Sequence, residues 1–176
     1  MRVGRLVSVI AAVILTVSVT GGGTAAGQDD FVQTGLVAHN NLRPRHDSPL
    51  MTLDQRLIDS ARQCAQYYAD LGRIDHSCPH KNEAGENLFI MMGGSPDAVG
   101  HVEQATQMWY DEIADYDYDN PGFSHRTGHF TQVVWKASTR LGIGYASKGD
   151  NHVVVALYDP PGNVEGKFPQ NVARPR

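Results

Sequence analysis

Apolar side chains recur at helical spacing between residues 52 and 72, and this is the clearest periodic pattern in the chain. The recurring positions are Leu53, Leu57, Ala61, Cys64, Tyr68 and Leu71. Thr52 and Gln55 match a capping box at the start of this segment, and Gly72 is typical of a helix end. The pattern predicts a helix whose buried face carries Cys64.

Two further helices are predicted, one before and one after this segment. The first runs from about Asp30 to Arg43, because Pro44 cannot continue a helix. The second begins at Ser95, with Pro96 in its first turn. Its apolar face is formed by Val102, Ala105, Met108, Trp109 and Ile113.

A different pattern follows nearer the C-terminus. Leu141, Ile143 and Tyr145 alternate with small residues, as in one strand of a sheet. A turn-like segment, residues 147–151, separates them from an apolar run at residues 153–157, so the two runs are predicted to form a hairpin. Helices followed by strands, with short links, predict an α+β layered domain.

The first 27 residues are predicted to be a cleaved secretory signal. Arg2 and Arg5 give a basic start, residues 6–19 are apolar, and small residues suited to cleavage follow. A membrane anchor is the alternative, but a spanning helix needs about 20 apolar residues. Cleavage predicts an extracellular, secreted protein with a single domain over residues 28–176 and no stable membrane anchor.

The charge balance argues against two classes of partner. The chain has 15 Lys and Arg against 19 Asp and Glu, a formal net charge of −4. Without Arg2 and Arg5 of the predicted signal, 13 basic side chains remain and the net charge becomes −6. An acidic surface with no basic cluster disfavours nucleic acid and anionic membranes as partners, although it says little about neutral lipids.

Cys64 and Cys78 are the only cysteines. In an exported chain an even pair suggests one disulfide. A loop of this length would stabilise the fold by about 3 kcal/mol in the chain-entropy model. Two buried free thiols are the alternative, because sequence does not supply the Cα separation that a disulfide requires.

Four short segments resemble the signatures of the CAP superfamily, which includes cysteine-rich secretory proteins, antigen 5 proteins and plant pathogenesis-related proteins. The segments are residues 39–43 (HNNLR), 85–88 (GENL), 128–135 (GHFTQVVW) and 158–164 (YDPPGNV). The resemblance runs from about Phe31 to Val172 and is closest to the cysteine-poor, Golgi-associated branch. It implies a three-layer α-β-α sandwich with a central antiparallel sheet, and a short helix over residues 130–135.

The resemblance also implies a cleft in which two histidines and two glutamates meet. Matched residue by residue, these are His76, Glu86, Glu112 and His129. Two imidazoles and two carboxylates suit zinc or another borderline divalent cation, although no cofactor is required. Without a metal, each carboxylate can stabilise a protonated histidine, and a purely structural network is the further alternative.

A second expectation concerns lipids, because members of the superfamily bind sterols or fatty acids. Residues 115–122 are acidic, rich in tyrosine and broken by proline, so they are predicted to be a loop. The resemblance implies that residues 116–123 correspond to a loop that is associated with sterol capture in the family. The aromatic or apolar residues of this stretch are Tyr116, Tyr118, Pro121 and Phe123. Aromatic faces can cover a flat sterol, while local packing of the tyrosines is the alternative.

These features predict a binding module for small lipids, with a divalent cation in the His/Glu cleft. A hydrolase that uses the same cleft, metal-dependent or with Ser77 beside His76, is the main alternative. The chain has no Gly-x-Ser-x-Gly or His-Glu-x-x-His motif, so no catalytic residue is assigned. A ligand for an unidentified protein partner, acting through surface loops, is the third interpretation.

The other histidines are given structural or surface roles. His39 and Arg43 lie one helical turn apart and are predicted to tie the first helix to the sheet. The histidines in polar or turn-like contexts are predicted to be exposed, namely His46, His80, His101, His125 and His152. Gly162 and Asn163 are interpreted as a scaffold turn.

Overall fold

The computed structural model describes residues 26–95 and 97–176. The α-helices in this part are α1 (Ala26–Leu42), α2 (Gln55–Leu71), α3 (Ala98–Asp111), α4 (Gly128–Val134) and α5 (Phe168–Asn171). The strands are β1 (Thr52–Leu53), β2 (Gly85–Met92), β3 (Arg140–Lys148) and β4 (Asn151–Asp159). Short 3-10 helices follow α1 and α3, at Arg43–His46 and Glu112–Asp115. Pro96, and the predicted signal except for its last two residues, lie outside the described residues.

The three predicted helices correspond to α1, α2 and α3, and the short helix implied by the resemblance is α4. The start of α2 differs from the prediction, because Thr52 lies in β1 and Asp54 is the N-cap. The Asp54 carboxylate accepts hydrogen bonds from the backbone N–H groups of Arg56 and Leu57, so Asp54 has the capping role that the prediction assigned to Thr52. Within residues 26–95 and 97–176, no helix combines the length and apolar character that crossing a bilayer demands.

The sheet has the strand order β1-β3-β4-β2. The predicted hairpin is confirmed, since β3 and β4 pair antiparallel, and β2 pairs antiparallel with the other side of β4. The two-residue strand β1 pairs parallel with β3, which makes the sheet mixed rather than wholly antiparallel. Strand β2 was not predicted from the sequence, because its short apolar run has no distinctive period.

Both faces of the sheet are covered by helices. On β4, Val153, Val155 and Leu157 pack on one side in a cluster with α2 residues. Val154, Ala156 and Tyr158 pack on the other side in a cluster with residues of α1, α3 and α4. Since each face meets a helical layer, β4 is apolar at consecutive positions instead of alternating with polar residues. The predicted three-layer arrangement is therefore confirmed.

Close packing of α2 on β3 depends on Gly142 and Gly144. A Cβ atom on Gly142 would lie 2.2 Å from the carbonyl carbon of Leu57, and one on Gly144 would lie 2.1 Å from the carbonyl oxygen of Ala61. Both obstacles are helix backbone, which cannot move aside without displacing α2. The small residues that alternate along this strand are thus the surface on which the helix rests.

Cys64 and Cys78 form a disulfide with a Cα–Cα separation of 5.5 Å, which resolves the alternative of two free thiols. The bond joins α2 to the loop that follows it, at 14 residues' separation. His76 lies in this loop, two residues before Cys78. The disulfide therefore limits the movement of the segment that carries one of the candidate ligands.

His39 ties α1 to the sheet, as predicted, whereas Arg43, predicted to do the same, bonds to α4 and to residues outside the strands. The Nδ1 atom of His39 donates to the carbonyl oxygen of Gly35, and its Nε2 atom accepts a hydrogen bond of 2.8 Å from the hydroxyl of Tyr158 on β4. The guanidinium of Arg43 donates to three backbone carbonyls and is fully buried. Every side-chain nitrogen of these two buried residues therefore has a hydrogen-bond partner.

The prediction of exposed histidines is wrong at three positions. His46 is fully buried, where its ring donates to the carbonyl oxygen of Ala173 and accepts from the hydroxyl of Tyr110. His101 and His152 are also buried, and their rings stack with centroids 5.0 Å apart. These rings find partners on distant segments, which a local reading of polar context does not detect. His80 and His125 are exposed, as predicted.

Candidate functional site

The first histidine–glutamate pair joins the loop after α2 to the start of β2. The Nδ1 atom of His76 donates to the Oε2 atom of Glu86 at 2.8 Å. The His76 backbone has φ of 61°, a left-handed conformation that is uncommon for residues other than glycine. The ring itself is largely open to solvent, with 55% of the side chain exposed.

Glu86 is held from several sides although its side chain is only 2% exposed. The hydroxyl of Tyr68 donates to this carboxylate at 3.3 Å, and the Nζ atom of Lys81 lies 3.5 Å from Oε2. Tyr68 also accepts from the backbone N–H of Cys78, and burial raises the pKa of its phenol. Tyr68 thus remains a neutral donor that fixes Glu86 behind the ring of His76.

The second pair joins the 3-10 helix after α3 to the beginning of α4. The Nδ1 atom of His129 donates to the Oε1 atom of Glu112 at 2.7 Å. The backbone N–H groups of His129 and Phe130 donate to Oε2 at 2.9 and 3.1 Å. The N-cap residue Thr127 makes no side-chain capping bond, so Glu112 caps α4 from a different element.

The two pairs meet at one small cavity of about 140 Å³. Its lining is formed by His76, Glu86, Asn87, Phe123, His125, Gly128, His129 and Asn163. Three members of the predicted tetrad reach this surface, while Glu112 is absent from the lining and bonds to the Nδ1 side of His129. The structure therefore brings the four predicted residues into one site, with the carboxylates as partners of the rings.

Two asparagines fix the walls of this cavity. Asn87 donates to the carbonyl oxygen of His129 at 3.1 Å, and Asn163 donates to that of Gly128 at 2.8 Å. Asn163 also accepts from the hydroxyl of Thr131. The predicted scaffold role of Asn163 is thus confirmed, and it holds the first turn of α4 beside the cavity.

The cleft offers fewer ligand atoms than a four-ligand metal centre requires. Among the described residues, no three His, Cys, Asp or Glu side chains are arranged to hold a metal ion. Each Nδ1 atom is already bonded to a carboxylate, so the Nε2 atom of each ring is the nitrogen left for a ligand. At most two ring nitrogens of this cleft, one from each histidine, are therefore available as ligands to a divalent cation.

His125 is a lining residue that was not predicted to belong to the site. Its ring meets that of Phe123 edge-on, with centroids 5.3 Å apart, at the rim of the cavity. No periodicity or motif marks this residue, because only the path of the loop after the second 3-10 helix brings it to the cleft. The polar sequence context of His125 predicted its exposure correctly but did not indicate that it lines the cavity.

The four residues of the predicted lipid loop do not form one surface. Tyr116 is buried and packs edge-on against Tyr118 and Phe130, at centroid distances of 4.8 and 5.5 Å. The guanidinium of Arg174 lies over the Tyr118 ring. Phe123 is instead 50% exposed and lines the cavity, and Pro121 is partly exposed. Local packing of the tyrosines, the alternative to a sterol-covering surface, describes Tyr116 and Tyr118.

The hydroxyl of Ser77 is engaged away from the neighbouring histidine. It bonds to the carboxylate of Asp75 and lies 3.1 Å from the hydroxyl of Tyr67. A serine nucleophile requires its oxygen on an imidazole nitrogen, and neither of these contacts of the Ser77 hydroxyl involves His76. The geometry gives no support to a serine-type mechanism with this pair.

The layers and the sheet define an α+β fold shared with solved structures. A crystal structure described as NaASP2 with Zn²⁺ superposes with a TM-score of 0.68 over 84% of this chain and 87% of that one, at 24% identity. The model of the cysteine-rich secretory protein family, CAP, matches residues 36–158. The protein therefore belongs to the CAP family.

Curated relatives agree with this assignment. The human Golgi-associated plant pathogenesis-related protein 1 is 39% identical over 145 residues, which cover 80% of this chain and 91% of that protein. The secreted protein RBT4 of Candida albicans is 36% identical over 182 residues, which cover 89% of this chain but 47% of that protein. The two names give different compartments, so family membership alone does not assign one to this chain.

Proposed function

We propose that this protein is a secreted binding module that holds a divalent cation of the zinc type between His76 and His129 and binds a small lipid beside it. One observation carries the proposal: two imidazoles, each with Nδ1 bonded to a carboxylate, line the same cavity. Secretion rests on the signal predicted in residues 1–27.

The carboxylates support cation binding through the rings. A carboxylate at Nδ1 keeps the proton on that atom and leaves the lone pair at Nε2, which is the usual arrangement of metal-binding histidines. Glu86 and Glu112 would perform this role for His76 and His129. The volume of about 140 Å³ suits an ion with its water molecules, because pockets for drug-sized ligands begin at roughly 300 Å³. When bound, the cation would supply an open coordination position for a ligand.

The backbone of His76 gives independent support. A left-handed conformation costs a non-glycine residue roughly 1–2 kcal/mol, and such residues concentrate at functional sites. Glycine or asparagine would adopt this conformation at lower cost. A functional role for the imidazole would account for a histidine rather than a glycine at this position.

Zinc titration of the purified mature protein tests the cation site. We expect His76→Asn and His129→Gln each to weaken zinc binding by at least ten-fold, because each removes one of two imidazole ligands. Asparagine tolerates the left-handed backbone at position 76, so a loss of binding there would not reflect strain. His80→Asn, at an exposed histidine outside the cleft lining, is the matched control and should bind as the wild type does. Isothermal calorimetry measures the affinities, and zinc affinity unchanged in both cleft variants would refute the proposal.

Sterol binding tests the lipid part of the proposal. Phe123 is the half-exposed aromatic residue of the predicted loop and lies at the cavity rim, so we expect Phe123→Ala to weaken sterol binding by about five-fold through lost apolar contact. Leu50→Ala, which removes a similarly exposed apolar side chain elsewhere, should leave binding unchanged. Radiolabelled cholesterol in a filter assay gives the affinities. Equal loss in both variants would show nonspecific apolar adsorption and contradict the assignment.

A further inference from the structure

A second and larger depression lies away from the histidine cleft and shares no lining residue with it. It has a volume of about 540 Å³ and runs between the end of α4, the segment after β4 and α5. Trp135 is its buried floor, while Pro160, Pro161 and the 46% exposed Val164 contribute to its walls. We name this feature the proline groove. Its volume lies within the roughly 300–1,000 Å³ typical of small-molecule sites.

Asn171 fixes the shape of the proline groove. Its main-chain carbonyl accepts from the backbone N–H of Lys136 at 3.1 Å, and its side-chain Oδ1 accepts from that of Ala137 at 3.0 Å. Its Nδ2 atom donates to the carbonyl oxygen of Lys167 at 2.8 Å. Because Lys136 and Lys167 are both bonded to this one residue, their side chains begin at the same end of the groove.

The charge at that end is unbalanced. The chain has four lysines, and Lys81 and Lys148 lie beside the carboxylates of Glu86 and Asp70. Within residues 26–95 and 97–176, neither Lys136 nor Lys167 has a carboxylate within ion-pair distance, and the lining contains no Asp or Glu. Two unpaired cations thus stand at the end of an apolar groove on a protein whose net charge is −4.

We propose that the proline groove binds a compact organic anion, an apolar ring system that carries one carboxylate or sulfonate. The acid would lie between Lys136 and Lys167, and the ring would pack on the proline faces above Trp135. Most lining side chains are themselves exposed, so a long acyl chain would keep much of its surface in water, whereas a compact ring would not. The acidic net charge also disfavours an anionic membrane as the occupant. The inference goes beyond the proposed function, since it uses no residue of the cleft or of the lipid loop.

The test uses the mature protein and the fluorescent probe 8-anilinonaphthalene-1-sulfonate, displaced by 4-phenylbutyrate. Lys136→Gln and Lys167→Gln should each weaken 4-phenylbutyrate about three-fold, and the double variant about ten-fold, as for partly exposed ion pairs. Lys148→Gln, which removes a lysine paired with Asp70, is the matched control and should bind as the wild type does. The uncharged 4-phenylbutanol should bind about ten-fold more weakly and should not respond to the lysine substitutions.

Several results would overturn the inference. One is unchanged 4-phenylbutyrate affinity in the double lysine variant, and another is an equal loss in Lys148→Gln. Decanoate that binds more tightly than 4-phenylbutyrate, with the same dependence on the lysines, would reject the compact ligand. Probe binding that is lost in Phe123→Ala but kept in the double lysine variant would place the anion at the cleft, which rejects the groove while leaving the proposed function in place. Zinc titration, which involves no groove residue, reports on the proposed function separately.

Discussion

Arg43→Met should lower the free energy of unfolding by about 4 kcal/mol, because it removes the donors of two buried hydrogen bonds and one partly buried one. The fully buried guanidinium donates to the carbonyl oxygens of Pro49, Val133 and Ser138 at 2.9, 2.8 and 2.7 Å. Methionine fills similar volume but leaves these acceptors without donors, each at a cost of about 1–3 kcal/mol. Burial already lowers the pKa of Arg43 to about 10, which indicates how strongly the fold desolvates this group.

Urea denaturation at pH 7.5 measures this effect. Arg45→Met, two residues away at an exposed position, is the matched control and should change the free energy of unfolding by less than about 0.5 kcal/mol. Arg43→Lys should fall between the two, since one ammonium cannot replace a guanidinium fork that reaches three carbonyls. Similar stabilities of the Arg43 and Arg45 methionine variants would show that water satisfies the freed carbonyls.

Acidification should destabilise the protein between pH 6.5 and pH 4, mainly through His39. Burial lowers the pKa of His39 from 6.5 to about 4, so the unfolded chain binds a proton in this range and the folded chain does not. Stability is therefore full above pH 6.5 and falls as the pH decreases towards 4, by about 3 kcal/mol for this ring. Burial also lowers the pKa values of His46 and His101, which act in the same direction.

The pH dependence can be assigned to His39 by substitution. His39→Gln should lose stability at pH 7.5, because it weakens the hydrogen bond with Tyr158, but its stability should change less between pH 7.5 and pH 4.5. His80→Gln, at an exposed histidine, should keep the wild-type slope. Lowered carboxyl pKa values, as at Asp54, take effect below the ordinary carboxyl range and do not explain a loss above pH 4.5. A His39→Gln profile parallel to that of the wild type would contradict this origin.

Much of the fold could be predicted because its elements follow local rules. Helix α2 shows an apolar period and ends at Gly72, which has a positive φ, and the β3–β4 hairpin has an alternating strand, a polar turn and an apolar strand. The elements that escaped prediction depend on distant partners. Strand β1 has two residues and exists only because it pairs with β3, and β2 is defined by its ladder with β4. The buried rings of His46, His101 and His152 depend on tertiary contacts in the same way.

The candidate site, like the fold, could be predicted only in part. The resemblance named His76, Glu86, Glu112 and His129, and the structure brings them together as two pairs. The use of each Nδ1 atom by a carboxylate depends on side-chain orientation, which spacing along the chain does not encode. The proline groove is also tertiary, because Asn171 joins segments 34 residues apart with one side chain.

Both oxygens of the Glu112 carboxylate are used. Oε1 accepts from the ring of His129, and Oε2 accepts from the backbone N–H groups of His129 and Phe130 and so caps α4. Even if the cleft bound no ligand, Glu112 would still be needed to cap α4. Retention of the glutamate is thus expected for structural reasons, whereas the imidazole of His129 caps no helix and, apart from Glu112, its ring stacks on Trp109 at a centroid distance of 6.2 Å. In a mutational survey, tolerance of substitutions at position 129, rather than at position 112, would therefore show whether the cleft binds a ligand.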